Sequence, residues 1–190
     1  MASRTAGPLI PRAIFGLDTS VSSPLGMLDK NLLVYPVGPY LVLDPTLHPS
    51  RPGTSTNSHN TSQPEALIPQ QLLAGSDDAK GYSALTVSSC RTLLAVSEWG
   101  ALTRAATVTV YEVKSRTVVQ NLSATDVSDA TNITILAFSP DAMYLVGLTG
   151  SPDMEVIVWQ MATGKCVSSL NITSMINSSI TALSFSPLEK

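Results

Sequence analysis

The side chains that could perform catalysis are few and poorly placed for it. Both histidines, His48 and His59, lie in or beside a segment rich in Ser and Thr. A histidine base needs a rigid site with an orienting partner, which such a segment does not offer. Asp77 and Asp78 are adjacent, so on an extended chain their carboxylates point to opposite faces. We therefore predict no catalytic residue and a protein that is not an enzyme.

Ligands for a metal or a cofactor are equally sparse in the sequence. It contains no HExxH, no C-x-x-C pair, no Gly-rich phosphate loop and no G-x-S-x-G. The two cysteines, Cys90 and Cys166, fall at different places in their respective sequence units. We expect them to be free thiols in a reducing compartment rather than a disulfide. We predict no metal and no cofactor, and leave the partner-binding residues unassigned.

Two aspartates and two tryptophans have candidate roles in binding. Asp141 and Asp153 each follow a Ser-Pro pair, where Pro fixes φ and Asp can accept backbone N–H bonds. A turn-forming role is the preferred interpretation, and a partner-facing acid on a rim is the alternative. Trp159 is expected to pack inside the fold. Trp99, in a longer loop, is either an exposed interface anchor or part of a loop folded back over the protein.

These residues sit in a sequence repeat that predicts their surroundings. Residues 133–159 contain three β-prone runs separated by two S-P-D turns. Ser186 lies 47 residues after Ser139 in a matching context, S-F-S-P against A-F-S-P, and Ser139 lies 51 residues after Ser88. Periods of about 40–50 residues with four strands are typical of β-propeller blades. The sequence V-W-Q, ending at Gln160, resembles the Trp-Asp strand of a WD40 repeat with Gln in place of Asp.

The repeat predicts an all-β, WD40-like β-propeller that is incomplete, with about three blades and the first strand of a fourth. Residues 1–12 are expected to form a flexible tail and residues 13–190 the partial propeller, with a disordered insertion at 45–65. That insertion is interpreted as a tolerated surface loop, with a phosphorylated regulatory loop as the alternative. The predicted strands cover residues 13–21, 31–37, 40–43, 66–72, 82–88, 92–98, 107–112, 116–122, 165–170 and 180–186, with further strands in 133–159.

Composition narrows the class of partner. The chain has 190 residues, a formal net charge of −3 and 13% charged residues, against about 25% in typical soluble domains. Its Lys and Arg residues are scattered, so we predict no nucleic-acid partner. No apolar stretch reaches the length of a membrane span, and no signal peptide is evident, so we predict no membrane partner. Three blades cannot close a ring, so the remainder of the propeller is expected to be missing, and the chain alone should be poorly soluble or oligomeric.

Five segments in a fixed order resemble one family. They are I-F-G-L-D-T at residues 14–19, N-L-L-V-Y-P-V-G at 31–38, A-L-T-V-S-S-C-R-T-L-L-A-V-S-E at 84–98, V-T-V-Y-E-V at 108–113 and L-A-F-S-P-D-A-M-Y-L at 136–145. This order is similar to that in the family of cilia- and flagella-associated protein fifty-seven, WD-repeat proteins of the motile axoneme. The usual Gly-His pair and terminal Trp-Asp of WD40 repeats are absent.

The resemblance implies a scaffold rather than an enzyme. It suggests protein partners associated with axonemal inner dynein arms or their regulatory complex, and a location in the cytoplasm and the axoneme of a cilium or flagellum. A generic cytoplasmic WD40 adaptor is the first alternative. A propeller enzyme is the second, and it would need polar clusters or metal ligands at the blade mouths.

Overall fold

The computed structural model describes residues 14, 16–45, 69–75, 79–99, 106–124, 130–150, 154–175 and 178–186. Within these ranges the chain forms twelve β-strands in three four-stranded antiparallel sheets, each ordered as in the sequence. Sheet 1 contains β1 (Gly26–Asp29), β2 (Leu32–Val37), β3 (Tyr40–Pro45) and β4 (Gln71–Ala74). Sheet 2 contains β5 (Gly81–Val87), β6 (Leu93–Trp99), β7 (Thr107–Glu112) and β8 (Val118–Ser123). Sheet 3 contains β9 (Ile133–Phe138), β10 (Tyr144–Thr149), β11 (Glu155–Gln160) and β12 (Lys165–Asn171).

Side-chain type explains which strands lie inside. The central strands β6 and β10 are nearly continuous apolar runs buried on both faces, as expected for strands covered by neighbouring sheets. In β7 the β-branched residues alternate, with Val108 and Val110 fully buried and Thr107 and Thr109 half-buried. The outer strand β12 is mostly exposed. Sheets 2 and 3 therefore bury their central strands, and their outer strands are mostly exposed, with apolar residues such as Val118 and Leu170 among the exposed side chains.

The three sheets pack face to face around sheet 2. One apolar cluster joins sheets 1 and 2, and it includes Leu41, Leu85 and Leu94. A second joins sheets 2 and 3, and it includes Val108 and Trp159. Four-stranded antiparallel sheets that follow the chain and stack on one another are propeller blades. The predicted all-β, WD40-like propeller is confirmed, and the three blades described do not close a ring.

The predicted strand at residues 13–21 is wrong. The described part of this segment, residue 14 and residues 16–21, forms no strand, and β1 is the first strand instead. The segment runs beside β5, where the Ser22 N–H donates to the Ser83 carbonyl oxygen at 3.3 Å and Ser22 forms a single parallel bridge to Ala84. Val21 is buried beside sheet 2, whereas Leu17 is 47% exposed.

The predicted strand at residues 180–186 also takes a different form. The segment has no regular secondary structure, and Ile180 and Leu183 pack on Ile135 and Leu148 of sheet 3. It covers part of the sheet face that looks away from sheet 2. The apolar pattern that predicts a strand here reflects packing against sheet 3 instead, because the segment joins no strand ladder.

Several predictions fall on residues outside the described part of the chain. They are the tail at 1–12, nearly all of the insertion at 45–65, His48, His59, Asp77, Asp78, Asp153 and the loop that follows Trp99. The fourth strand predicted at residues 66–72 corresponds to β4, which begins at Gln71, and residues 66–68 lie outside the described ranges. The remaining predicted strands agree with the structure to within about two residues at each end.

Candidate interaction surface

The tight turns of sheets 2 and 3 gather at one end of the two sheets. In sheet 2 the β5–β6 and β7–β8 turns are joined because the Val113 N–H donates to the Thr92 carbonyl oxygen at 2.9 Å. In sheet 3 the equivalent bond runs from the Met161 N–H to the Met143 carbonyl oxygen, also at 2.9 Å. We call this end of the two sheets the turn end. The turn end is a rigid platform, because two hairpins of each sheet are tied together there.

The β5–β6 and β9–β10 turns are built in the same way. Ser88 Oγ accepts a hydrogen bond from the Leu93 N–H at 3.0 Å. Ser139 Oγ accepts the equivalent bond from the Tyr144 N–H at 2.9 Å. In each turn the serine side chain therefore closes the hairpin by satisfying the first backbone donor of the next strand. The serines that define the sequence repeat are structural.

Asp141 completes the turn in sheet 3. Its Oδ1 accepts hydrogen bonds from Ser139 Oγ at 2.6 Å and from the Met143 N–H at 3.0 Å. These two bonds stabilise the charged form, so they hold the pKa of the Asp141 carboxyl below its usual range. The turn-forming role predicted for Asp141 is confirmed by these contacts.

Cys90 occupies the place in sheet 2 that Asp141 occupies in sheet 3. Its Sγ lies 3.4 Å from Ser88 Oγ and 2.9 Å from Thr92 Oγ1. Hydrogen bonds from Ser88 and then Thr92 favour the thiolate and lower the pKa of Cys90 to about 7. The side chain is exposed, and Cys166 is a separate free thiol in sheet 3. Alignment of Ser88 with Ser139 is the sequence signal that identifies Cys90 as the counterpart of Asp141.

Three exposed cations lie on the two joined turns of sheet 2. Arg91 is in the β5–β6 turn, and Lys114 and Arg116 are in the β7–β8 turn. The one carboxylate of these turns is that of Glu112, which accepts a hydrogen bond from Ser115 Oγ at 2.6 Å. Basic residues that are scattered along the sequence therefore lie on neighbouring turns in the folded structure.

A groove opens between sheets 2 and 3 beside these turns. Its volume is about 370 Å³. Polar and apolar groups from β5, β9 and residues 183–185 contribute about equally to its wall, and Ser89 and Pro140 of the two turns stand at its rim. The lining residues are Thr86, Val87, Ser89, Ala137, Phe138, Pro140, Leu183, Ser184 and Phe185. The groove and the basic turns together form a continuous candidate interaction surface.

The two tryptophans have different environments. Trp159 is fully buried, and its indole N–H donates to the Ser123 carbonyl oxygen of sheet 2 at 3.0 Å, so its predicted packing role is confirmed. Trp99 is 44% exposed and covers Gly81, where an added Cβ would lie 2.8 Å from the indole nitrogen. Trp99 is therefore partly exposed and partly folded back over sheet 2, at the end opposite to the turn end.

The described residues hold neither a cluster of metal ligands nor a membrane-spanning helix. In those ranges no group of three or more His, Cys, Asp or Glu side chains is placed to hold a metal ion. In the same part of the chain no helix has the length and apolar composition needed to cross a membrane.

The chain is similar to a curated protein and to a solved structure. No protein-family model matches the chain. Over 169 residues, or 86% of its length, the chain is 28% identical to cilia- and flagella-associated protein 57 of Mus musculus, and it spans 12% of that protein. A solved relative in fold is the β-propeller domain of Cps50 (Swd1) from Myceliophteria_thermophila, at 20% identity and a TM-score of 0.40 over 47% of this chain and 24% of that one. The assignment of a propeller rests on the three stacked sheets themselves.

Proposed function

We propose that this chain is part of a non-enzymatic scaffold that binds other proteins in a ciliary or flagellar axonemal assembly. The similarity to cilia- and flagella-associated protein 57 over 86% of the chain is the observation that carries this proposal. The inner dynein arm and its regulatory complex are the sites of assembly we favour. The proposed location is the cytoplasm, where the protein is made, and the axoneme.

The surface chemistry of the blades supports binding over catalysis. At the turn end polar groups such as the buried Ser139 hydroxyl and the exposed Asp141 carboxylate are engaged in closing hairpins. A group fixed in this way holds its neighbours in place and is less available as a general acid or base. A rigid platform that presents side chains from several turns is the feature that propellers use to bind partners.

The test is the location of the full-length protein. A tagged copy expressed in motile ciliated cells should remain with the axoneme after detergent removes the membrane. It should also co-purify with dynein-associated components. A protein confined to the cell body, and absent from detergent-extracted axonemes, would overturn the ciliary proposal and favour a generic cytoplasmic WD40 adaptor.

A further inference from the structure

The turn end of sheet 2 carries more positively charged residues than its turns need in order to form. Arg91, Lys114 and Arg116 are all exposed, and they stand on two turns that a backbone hydrogen bond joins. In sheet 3 the corresponding turns carry Asp141, Ala142 and Met143, followed by Thr163 and Gly164. The same hairpins therefore fold with one acidic residue and no arginine. This local charge is opposite to that of the whole chain, which is −3.

Both arginines occupy backbone positions that other residues fill more readily. Arg91 has φ of 57° and Arg116 has φ of 59°, in the left-handed region that disfavours side chains. Gly164, the counterpart of Arg116 in sheet 3, has φ of 68°. Both arginine side chains are exposed, and their backbone N–H groups donate within the turns to the Ser88 and Glu112 carbonyl oxygens at 2.8 Å. Ala142, the counterpart of Arg91 in sheet 3, has the same left-handed φ of 57°, so these turns form without a cation at either position and their backbone does not require the charge.

We infer that the turn end of sheet 2 binds an acidic segment of a partner protein, through Arg91, Lys114 and Arg116. This inference rests on the proposed scaffold function and names the chemistry of one partner. Guanidinium groups bind carboxylates through paired N–H donors. The groove next to the β5–β6 turn, with walls from Val87, Phe138 and Leu183, accepts an apolar residue of the same segment. Asp141 at the far rim orients the acidic part toward sheet 2 by repulsion.

An acidic peptide fits this surface better than a nucleic acid does. Three cations neutralise about three phosphates, which is too few for firm binding at physiological salt. A short acidic segment with one apolar anchor requires only a small charged patch and a groove with apolar side chains in its wall, which are the features that lie side by side here.

The experiment measures binding of labelled peptides to the purified full-length protein by fluorescence anisotropy. The first peptide is an oligoglutamate that ends in leucine, and the neutral control peptide is an oligoglutamine that ends in leucine. The glutamate peptide should bind and the glutamine peptide should not, and added salt should weaken binding. An oligouridylate that binds as tightly as the glutamate peptide would overturn the assignment to a protein partner.

A variant with Arg91→Gly, Lys114→Gln and Arg116→Gly separates binding from folding. Glycine relieves the left-handed strain at both arginines, so the thermal midpoint should stay the same or rise. Affinity for the glutamate peptide should fall about tenfold, as three exposed charge contacts are lost. Lys80→Gln, at the opposite end of sheet 2, is the matched control and should leave affinity unchanged. Unchanged affinity in the triple variant would overturn the inference.

The outcome is distinguishable from a failure of the proposed function. If the triple variant loses the peptide but the wild-type protein never enters the axoneme, the binding surface stands and the ciliary proposal falls. If the protein enters the axoneme while neither it nor the triple variant binds the glutamate peptide, the scaffold stands and this surface is not its acidic-peptide site.

Discussion

The indole N–H of Trp159 in β11 donates a 3.0 Å hydrogen bond to the carbonyl oxygen of Ser123, which ends β8 in the neighbouring sheet. The Trp159 side chain is fully buried, and its six-membered ring lies on Gly147 of β10. One side chain thus fills the space between sheets 2 and 3 and satisfies a polar group at their boundary. Trp159 therefore links the two sheets both by packing and by a hydrogen bond.

Trp159→Phe should destabilise the protein by about 1–3 kcal/mol, because it removes buried ring atoms and the indole N–H that donates to the Ser123 carbonyl oxygen. Urea unfolding followed by circular dichroism measures the change. Trp99→Phe is the matched control, since Trp99 is 44% exposed, and it should cost clearly less. Equal losses in the two variants would contradict the role given to the Ser123 contact.

Gly147→Ala should destabilise the protein by about 1–3 kcal/mol, because the added methyl group would lie 2.8 Å from Cζ3 of Trp159. The same change should cost much less in a Trp159→Phe background, where the clashing ring atoms are gone. A double-mutant cycle on unfolding free energies gives this coupling directly. Additive effects would show that Gly147 is needed for another reason.

Gly164→Ala should destabilise the protein more than Gly38→Ala, although both glycines have left-handed φ, of 68° and 56°. An alanine costs about 1–2 kcal/mol at either site from backbone strain. At Gly38 an added Cβ meets nothing within 4 Å, whereas at Gly164 it meets the side-chain amide of Gln120 in sheet 2. The difference between the two unfolding free energies should therefore report the contact between sheets, and equal values would exclude it.

Cys90 should react with iodoacetamide at a rate that rises through a pH of about 7, because its pKa is lowered to about 7. The sign follows from the thiolate being the nucleophile, so the rate falls as pH drops below that value. Thr92→Val removes one hydrogen-bond donor and should move the midpoint to higher pH. Cys90→Asp identifies the signal from Cys166, the second thiol. A midpoint near the ordinary thiol value of about 8.5 would contradict the hydrogen-bonded arrangement.

Replacing residues 46–69 by a short Gly-Ser linker should leave the thermal midpoint nearly unchanged. Gln70 Nε2 donates to Asp44 Oδ2 at 2.7 Å, and Tyr35 OH donates to the same oxygen at 3.0 Å, so the two ends of the segment are held together by the sheet. Burial of the Tyr35 hydroxyl, followed by its hydrogen bond to the Asp44 carboxylate, raises the pKa of Tyr35 to about 12. In the shortened protein Asp44→Asn should lower the Tyr35 pKa, measured by ultraviolet titration. A large loss of stability on shortening would show that the segment is part of the fold.

The local sequence pattern predicts strands well where buried and less buried residues alternate strictly. The bounds of β7 follow from T-V-T-V-Y-E, in which half-buried Thr and buried Val alternate over the first four residues. The short strand β1 was missed because Gly26 and Asp29 are poor strand formers in isolation. Gly26 is suited to its place by a distant contact, since an added Cβ would lie 2.8 Å from a methyl group of Val87 in sheet 2. Contacts of this kind, between residues of different sheets, cannot be recognised from a short stretch of sequence.

Only part of the candidate site can be predicted from the sequence. Aligning Ser88 with Ser139 places Cys90 opposite Asp141, which the residues alone allow. The pairing of the β5–β6 turn with the β7–β8 turn brings Arg91 near Lys114 and Arg116, and it depends on the hydrogen bond between Val113 and Thr92. The left-handed backbone of both arginines could not be foreseen, because arginine does not favour that conformation.

The hydrogen bonds within a sheet differ in kind from those between sheets, and this difference has a mechanical consequence. Within sheet 2 continuous ladders join the strands, whereas side chains such as Ser83, whose Oγ donates to the Ile133 carbonyl oxygen at 2.6 Å, link it to sheet 3. A pulling force should therefore separate neighbouring sheets before it unzips the strands of either one. A separated sheet whose strands then unzip would release roughly 150 Å of chain, so that under tension the molecule lengthens in discrete increments.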